Sequence, residues 1–183
     1  LSRLLDRLDR PRYLGVGSRQ GRRRLRDGVT DFAVLTGSSI PEGAIELGAW
    51  DREWGLVVPD GNPRGIEGLA DLVDSDVAFV NRTTDSGLRS TLEDALGELA
   101  ARRGVDRREL AESIEGFELA VRAHESPARK VLADEADAGL GLEATAEALG
   151  TGFVACGTER VAVVADPDRA DKPGVRRLEA AIE

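Results

Sequence analysis

The chain has 183 residues, 41% of them apolar, which suffices for one sizeable hydrophobic core or two small ones. No apolar run approaches the length of a membrane-spanning helix and no signal-peptide pattern opens the chain, so we predict no membrane partner. A single cysteine, Cys156, cannot form an internal disulfide and is typical of a reducing, cytoplasmic environment. Residue 1 is Leu and methionine is absent, so we expect a further upstream part of the protein.

The net charge of −9 is unevenly distributed along the chain. Residues 1–30 contain nine arginines and three aspartates, a local balance of +6, and the remainder carries −15. Only two of the 25 basic residues are lysines, Lys130 and Lys172. An acidic, lysine-poor surface is typical of a halophilic protein, although GC-rich coding also replaces Lys by Arg. Such acidity argues against direct nucleic-acid contact by this part of the protein.

Strand-like and helix-like segments alternate along the chain. The predicted strands are Arg12–Gly15, Asp31–Leu35, Ile45–Trp50, Glu53–Pro59, Val77–Val80, Ser113–Phe117, Asp137–Leu142, Phe153–Ala155 and Arg160–Ala165. The predicted helices are Leu1–Leu8, Arg19–Arg26, Gly65–Leu72, a long helix ending at Ala101, Ser126–Ala133, Glu143–Leu149 and Pro173–Ile182. Strands separated by helices indicate parallel sheets and favour two small α/β lobes. We predict one lobe from residues 1–57 and 155–183 and the other from residues 60–152.

The most informative stretch is Asp76-Val-Ala-Phe-Val-Asn-Arg-Thr-Thr-Asp-Ser-Gly-Leu-Arg89. It predicts a buried strand, a hydroxyl-rich turn and the start of the long helix. Unpaired backbone N–H groups and the positive end of the helix dipole gather at such a turn. Thr83, Thr84 and Ser86 add hydroxyl donors and Arg82 adds a charge, which makes the turn a candidate anion site. The alternative is that Ser86 only caps its helix while Arg89 pairs with a glutamate one turn later.

A second turn of the same kind comes near the start of the chain, in Tyr13-Leu-Gly-Val-Gly-Ser-Arg-Gln-Gly21. Its glycine spacing is G-x-G-x-x-x-G, a weak match to a dinucleotide motif. Gly17 and Ser18 instead form a turn and an N-cap that are competent to bind an anion, or that merely cap the helix. Thr36 ends the next strand and is either a ligand contact or ordinary turn chemistry.

Metal and nucleophile chemistry find little support in the sequence. His124 is the only histidine, and one histidine without a nearby cysteine makes a poor metal site. No nucleophile-elbow sequence is present, so we predict no catalytic residue and no cofactor. Ser126 starts a helix ahead of a proline, and we expect this helix and those near Ser18 and Ser86 to direct their N-termini at one ligand.

Four stretches together resemble one family. They are Arg52-Glu-Trp-Gly-Leu-Val-Val-Pro-Asp-Gly-Asn-Pro-Arg-Gly-Ile-Glu-Gly-Leu-Ala-Asp-Leu72, Val77–Arg82, Ala136–Gly141 and Ala144–Gly150. The chain is similar throughout to the periplasmic-binding-protein-like substrate-binding domain that is fused to molybdate-type helix-turn-helix regulators and to molybdopterin biosynthesis proteins. The resemblance implies a type 2 periplasmic-binding-protein-like fold, with two α/β lobes joined by two crossing strands and ligand in the cleft.

The resemblance also implies ligand-binding positions. The matching residues are Gly17, Ser18, Thr36, Asn81, Arg82, Ser86, Gly87, Arg89 and His124. Four departures from the family pattern are Arg19-Gln20-Gly21 in place of Gly-Gly, Asp85 in place of Gly, Leu88 in place of Thr, and Val161 in place of Tyr. A carboxylate at position 85 stands where an anion should approach.

We therefore expect a cytoplasmic ligand-sensing domain rather than an enzyme. By resemblance its ligand is molybdate, tungstate or a molybdenum-cofactor-related compound, and its partner is an upstream DNA-binding module. One alternative is an accessory or catalytic domain in molybdenum-cofactor biosynthesis. Another is the soluble receptor of an oxyanion transporter.

Overall fold

The computed structural model describes residues 11–36 and 40–182. The strands are β1 Phe32–Thr36, β2 Ile45–Val58, β3 Phe79–Arg82, β4 Ala120–Val121, β5 Ala138–Leu142 and β6 Gly152–Ala165. The helices are α1 Ser18–Arg26, α2 Leu69–Asp74, α3 Gly87–Arg103, α4 Arg107–Glu112, α5 Ser126–Leu132, α6 Glu143–Leu149 and α7 Pro173–Ile182, with a 3₁₀ turn at Pro167–Arg169. The helix predicted over Leu1–Leu8 lies outside the described residues.

The chain divides into two compact units. The terminal unit comprises Leu1–Asp51 and Arg160–Glu183, and the central unit comprises Arg52–Glu159. Both divisions fall inside a 14-residue strand, β2 or β6. Hydrogen bonds join the strands in the order β1-β6-β2-β5-β3-β4, and β2 and β6 contribute residues to both units.

In the terminal unit, α1 packs on β1, and β1 pairs antiparallel with the last part of β6, from Phe32 opposite Ala165 to Thr36 opposite Val161. A small apolar cluster forms between these elements, and its buried members are Leu25, Ala33, Leu35, Ala162 and Val164. The strand predicted at Arg12–Gly15 is wrong, since residues 11–17 have no regular secondary structure. Tyr13 and Leu14 are exposed, so the apolar side chains of this segment are not part of a core.

The central unit contains the larger core. β5 pairs antiparallel with β2 and parallel with β3, and β3 pairs parallel with the short β4. Helix α3 covers this sheet with one apolar stripe, whose buried members are Leu88, Leu92, Leu96 and Ala100. A spacing of four residues keeps these side chains on one face of the helix. The helix ends at Gly104, whose φ of 67° is the left-handed conformation that favours glycine at a helix terminus.

The structure corrects several sequence predictions. Ile45–Trp50 and Glu53–Pro59 form one strand, and so do Phe153–Ala155 and Arg160–Ala165, because each strand continues from one unit into the other. The β1–β6 and β2–β5 pairs are antiparallel, although parallel sheets were expected. Strands joined by a strand–helix–strand crossover run parallel, but this rule does not apply to β2 and β6, because each of them continues from one unit into the other.

Two further elements in the central unit differ from expectation. Ser113–Phe117, a predicted strand, is a series of turns, and helix α4 at Arg107–Glu112 was not predicted. Asp106 caps α4 by accepting backbone N–H bonds from residues 108 and 109. The segment is highly charged and buries only Leu110, so it shows no apolar period from which a helix could be predicted.

The turns after α4 fix the position of β3. The β3 backbone donates from Phe79 to Glu115 and from Asn81 to Leu119, with N···O distances of 2.9 and 2.8 Å. Gly116 lies between these two contacts with φ of 80°, and a Cβ built there would be 2.1 Å from the Phe79 carbonyl oxygen. Glycine is therefore required at position 116 by both conformation and space.

We predict that Gly116→Ala lowers the free energy of unfolding by about 2–4 kcal/mol, because a side chain clashes with the β3 backbone and a left-handed alanine is strained. Gly104→Ala is the matched control, since its φ is also positive but nothing lies within 4 Å of its Cβ position. It should cost roughly 1 kcal/mol. Urea unfolding of both variants measures the difference, and equal losses would contradict this account of Gly116.

Candidate functional site

The turn between β3 and α3 is the candidate site in the central unit. The backbone N–H of Ser86 donates to the Thr83 carbonyl at 2.9 Å, which closes the turn immediately before α3. Ser86 is the N-cap residue of this 17-residue helix and is only 7% exposed, yet its hydroxyl makes no capping bond. The first N–H groups of α3 therefore have no cap from the N-cap side chain, and among the described residues the buried Ser86 hydroxyl lies beside them at the positive end of the helix dipole.

Arg82 ends β3 and is 5% exposed. Its guanidinium donates to the carbonyls of Val121 and Arg122 at 3.3 and 2.8 Å. Its Nη1 lies 3.0 Å from Nδ1 of His124. Within the described ranges no carboxylate forms an ion pair with it, and burial is the main reason that its pKa is lowered. The nearby charge of Asp85 opposes this lowering but makes no direct ion pair with Arg82. A buried guanidinium without a direct ion pair is costly, and an anionic ligand would relieve part of that cost.

His124 is held in one tautomer by this contact. Because the Arg82 guanidinium can only donate, Nδ1 of His124 must accept and its proton resides on Nε2. His124 itself is exposed. Partial desolvation of the ring is the main cause that lowers its pKa, and the charges of Arg82 and Arg52 act in the same direction. His124 is therefore neutral at pH 7 and carries an Nε2–H donor.

Asp85 introduces a negative charge into the same turn. Its Oδ1 accepts from the Thr83 hydroxyl at 2.6 Å, and this bond is the main cause that lowers its pKa. The charges of Arg122 and Arg82 also favour the carboxylate. Thr84, the neighbouring predicted contact, is exposed.

The side chains of Asn81 and Arg89 form hydrogen bonds within and around the turn. The Asn81 side chain donates to the Phe117 carbonyl at 3.0 Å and accepts from the Arg82 backbone N–H at 2.8 Å. Arg89 is bonded to Glu93 at 2.8 Å and stacks 4.3 Å above the Phe117 ring. Its Nη1 also reaches two backbone carbonyls. The side chains of Asn81 and Arg89 therefore stabilise the turn through these contacts and are not counted among the proposed donors to a ligand.

In the terminal unit the predicted residues form a separate hydroxyl pair. Ser18 Oγ lies 3.1 Å from Thr36 Oγ1 and also accepts from the Thr36 backbone N–H at 3.1 Å. Arg22 donates to the Thr36 carbonyl at 3.1 Å. Gly17 is the N-cap of α1, so Ser18 joins the helix to the end of β1 instead of capping the helix.

Ser126 is the first residue of α5 and is half-buried, and Glu125 takes the N-cap position before it. The structure thus groups Arg82, Ser86 and His124 around the β3–α3 turn or in contact with it. That Ser18, Thr36 and Ser126 contact the same ligand stays a prediction.

Two residues of functional interest were not singled out in the sequence. Glu159, 4% exposed, accepts at Oε1 from Nε of Arg52 at 2.7 Å and at Oε2 from the Thr91 hydroxyl at 3.0 Å. The two partners of the ion pair are 107 positions apart, so neither spacing nor periodicity connects them.

A cavity of about 640 Å³ also occurs in the central unit. It lies among α3, α4 and the turns before β4, and Arg89 is the one predicted site residue in its lining. Across the described ranges, no three His, Cys, Asp or Glu side chains are placed to hold a metal ion. Among the helices of the described residues, none has both the length and the hydropathy of a bilayer span.

Comparison with known proteins identifies the class. The model of the PBP superfamily domain matches residues 37–183, so the chain belongs to this family of type 2 periplasmic-binding-protein-like domains. In sequence, it is 34% identical over 103 residues to the uncharacterised protein YvgK of Bacillus subtilis (strain 168). This match covers 56% of the chain but only 31% of that relative. The chain therefore spans about a third of that relative's length.

Solved structures share the fold at low sequence identity. The reduced form of OxyR from N. meningitidis has a TM-score of 0.69 at 17% identity, over 99% of this chain and 87% of that one. The effector-binding domain of QuiR in complex with shikimate gives 0.64 at 12% identity, over 87% and 73%. A phosphate-bound substrate-binding protein of a putative phosphate ABC transporter from Clostridium perfringens gives 0.61 at 14%, over 91% and 78%. The expected fold class is confirmed.

We predict that the pKa of His124, followed by NMR, lies below the ordinary value of 6.5. Its protonation then opposes folding, so the associated stability is present above pH 6.5 and is lost as the pH falls through the lowered pKa. Arg82→Gln should raise the pKa because it removes a charge and a donor to Nδ1. Arg122→Gln, which removes an exposed charge nearby, is the control, and a wild-type pKa at or above 6.5 would contradict the assignment.

Proposed function

We propose that this chain is a ligand-sensing domain that holds a small oxyanion at the N-terminus of α3 and performs no chemistry on it. Molybdate and tungstate are the leading ligands, with a molybdenum-cofactor-related compound next. The observation that carries the proposal is the buried Arg82 guanidinium, which has hydrogen-bond partners but no ion-pair partner within the described residues. Ser86 and the α3 N–H groups supply the remaining donors.

The net negative charge of the protein makes the short contacts from Arg82 and Ser86 important for anion binding. A protein of net charge −9 repels anions at long range, so affinity must come from short, directed contacts. A hydrogen bond between charged groups contributes about 1.5–3 kcal/mol. The neutral His124 can donate from Nε2 without being titrated at pH 7.

Asp85 favours a second type of ligand. An ionised carboxylate repels a bare oxyanion, but its second oxygen can accept from a hydroxyl group. A hydroxylated organic acid would satisfy both Asp85 and Arg82, and the shikimate-bound QuiR domain supports such ligands in this fold class.

A regulatory role is part of the proposal. An effector-binding domain, that of QuiR, and a regulatory domain, that of OxyR2 from Vibrio vulnificus, share this fold, which supports a sensing role. The attached DNA-binding module and the cytoplasmic location are part of the proposal and rest on the family resemblance. Sensing through the thiol is less favoured by the chemistry. Burial raises the pKa of Cys156 to about 11, so little of the reactive thiolate is present near neutral pH.

Calorimetric titration with molybdate, tungstate and sulfate tests the proposal. We predict that Ser86→Ala weakens binding of the preferred anion by about 1.5 kcal/mol, roughly tenfold in Kd, because a buried donor is lost. Ser90→Ala is the control, since Ser90 is an exposed serine one turn along the same helix. Absence of binding by every oxyanion at millimolar concentration would overturn the oxyanion proposal and leave the hydroxylated acid to be tested.

A further inference from the structure

The Arg52–Glu159 ion pair is built into the central unit close to α3. Arg52 belongs to β2 and Glu159 to β6, and both Nε and Nη2 of Arg52 contact the same oxygen, Oε1. The other oxygen of Glu159 accepts from Thr91, in the second turn of α3. Since the Glu159 side chain is only 2% exposed, its position is fixed on both sides.

The guanidinium of Arg52 is only partly used by this pair. Its Nη1 has no hydrogen-bond partner within residues 11–36 and 40–182, and the side chain retains 30% exposure. The carboxylate therefore holds one edge of the guanidinium and leaves the other available.

The Arg52–Glu159 pair contacts α3, the helix whose N-terminus forms the candidate site. Desolvation is the main cause that lowers the pKa values of Arg82 and His124, and the charge of Arg52 acts in the same direction, as expected for a group near this turn. Glu159 thus connects Arg52 through Thr91 to the helix whose N-cap residue is Ser86.

We propose that Arg52 is a further ligand-binding residue of this site, that Glu159 positions it, and that the site selects doubly charged tetrahedral oxyanions over singly charged ones. This inference rests on the proposed anion-binding function. Two guanidinium groups that face one ligand gain more from a second negative charge than one guanidinium does, and a partly buried environment strengthens the difference. The carboxylate of Glu159 offsets only part of this gain, because it lies on the opposite edge of the Arg52 guanidinium.

Tungstate and perrhenate provide the test, because they are tetrahedral oxyanions of similar size that differ in charge. Calorimetry at mildly alkaline pH compares their affinities for the wild type and for the double variant Arg52→Gln/Glu159→Gln. Removing both partners avoids a buried unpaired charge. We expect tungstate to bind the wild type more tightly than perrhenate does. In the double variant tungstate should weaken about tenfold or more, and perrhenate less than about threefold.

The matched control is Arg160→Gln/Glu46→Gln, which removes an Arg–Glu pair that spans the same two strands. It should leave both affinities unchanged. If the double variant fails to fold, Arg52→Lys keeps Glu159 paired and should still weaken tungstate at least about threefold, because the planar fork is lost.

The outcomes separate the two proposals. Wild-type binding of tungstate and perrhenate with equal affinity, or no loss in the Arg52 variants, overturns the inference and leaves the anion site intact. Absence of binding by either ion to the wild type overturns the proposed oxyanion function and the inference with it. Equal losses in the Arg52–Glu159 and Arg160–Glu46 variants would also overturn the role of Arg52.

Discussion

The burial of the Arg82 guanidinium at the end of β3 is the constraint that organises the central unit. A buried cation must have its N–H groups satisfied. Val121 at the end of β4 and Arg122 after it accept through their carbonyls, and His124 accepts through its ring. That segment is in turn held by the turns that dock on β3 through Gly116. The remaining imbalance is one of charge, because no carboxylate among the described residues forms an ion pair with Arg82 and the charge of Asp85 acts on it without a direct contact. This imbalance is the basis of the proposed anionic ligand.

Two arginines that form ion pairs contrast with Arg82. Arg52 has a carboxylate partner in Glu159, and Arg89 has one in Glu93. Buried ion pairs of this kind add little net stability, because desolvation offsets most of the attraction, but they fix geometry. In the central unit the Arg89–Glu93 pair therefore supports the framework around α3, and the Arg52–Glu159 pair fixes the orientation of the guanidinium that we propose as a further ligand contact. Arg82 is the buried arginine that forms no ion pair with the described residues.

Secondary structure was predictable from the sequence where an apolar period and a capping or turn residue indicate the same element. Helix α3 was predictable because Ser86 precedes a four-residue apolar repeat, and the family resemblance supplied the fold class. Prediction was wrong at Arg12–Gly15 and Ser113–Phe117, where short apolar patterns are not matched by a strand partner in the described residues. Within the site, Arg82 and Ser86 come from one continuous motif. The contact of Arg82 with His124, 42 positions away, and the Arg52–Glu159 pair depend on tertiary packing that no local pattern encodes.

Anomalous diffraction from a crystal grown with tungstate tests the central claim most directly, because the tungsten signal locates the ion without assumptions about the protein. The account predicts a peak in contact with the Arg82 guanidinium and the Ser86 hydroxyl at the start of α3. A peak only in the cavity beside Arg107 and Arg108, or no ordered peak at a saturating tungstate concentration, would contradict it.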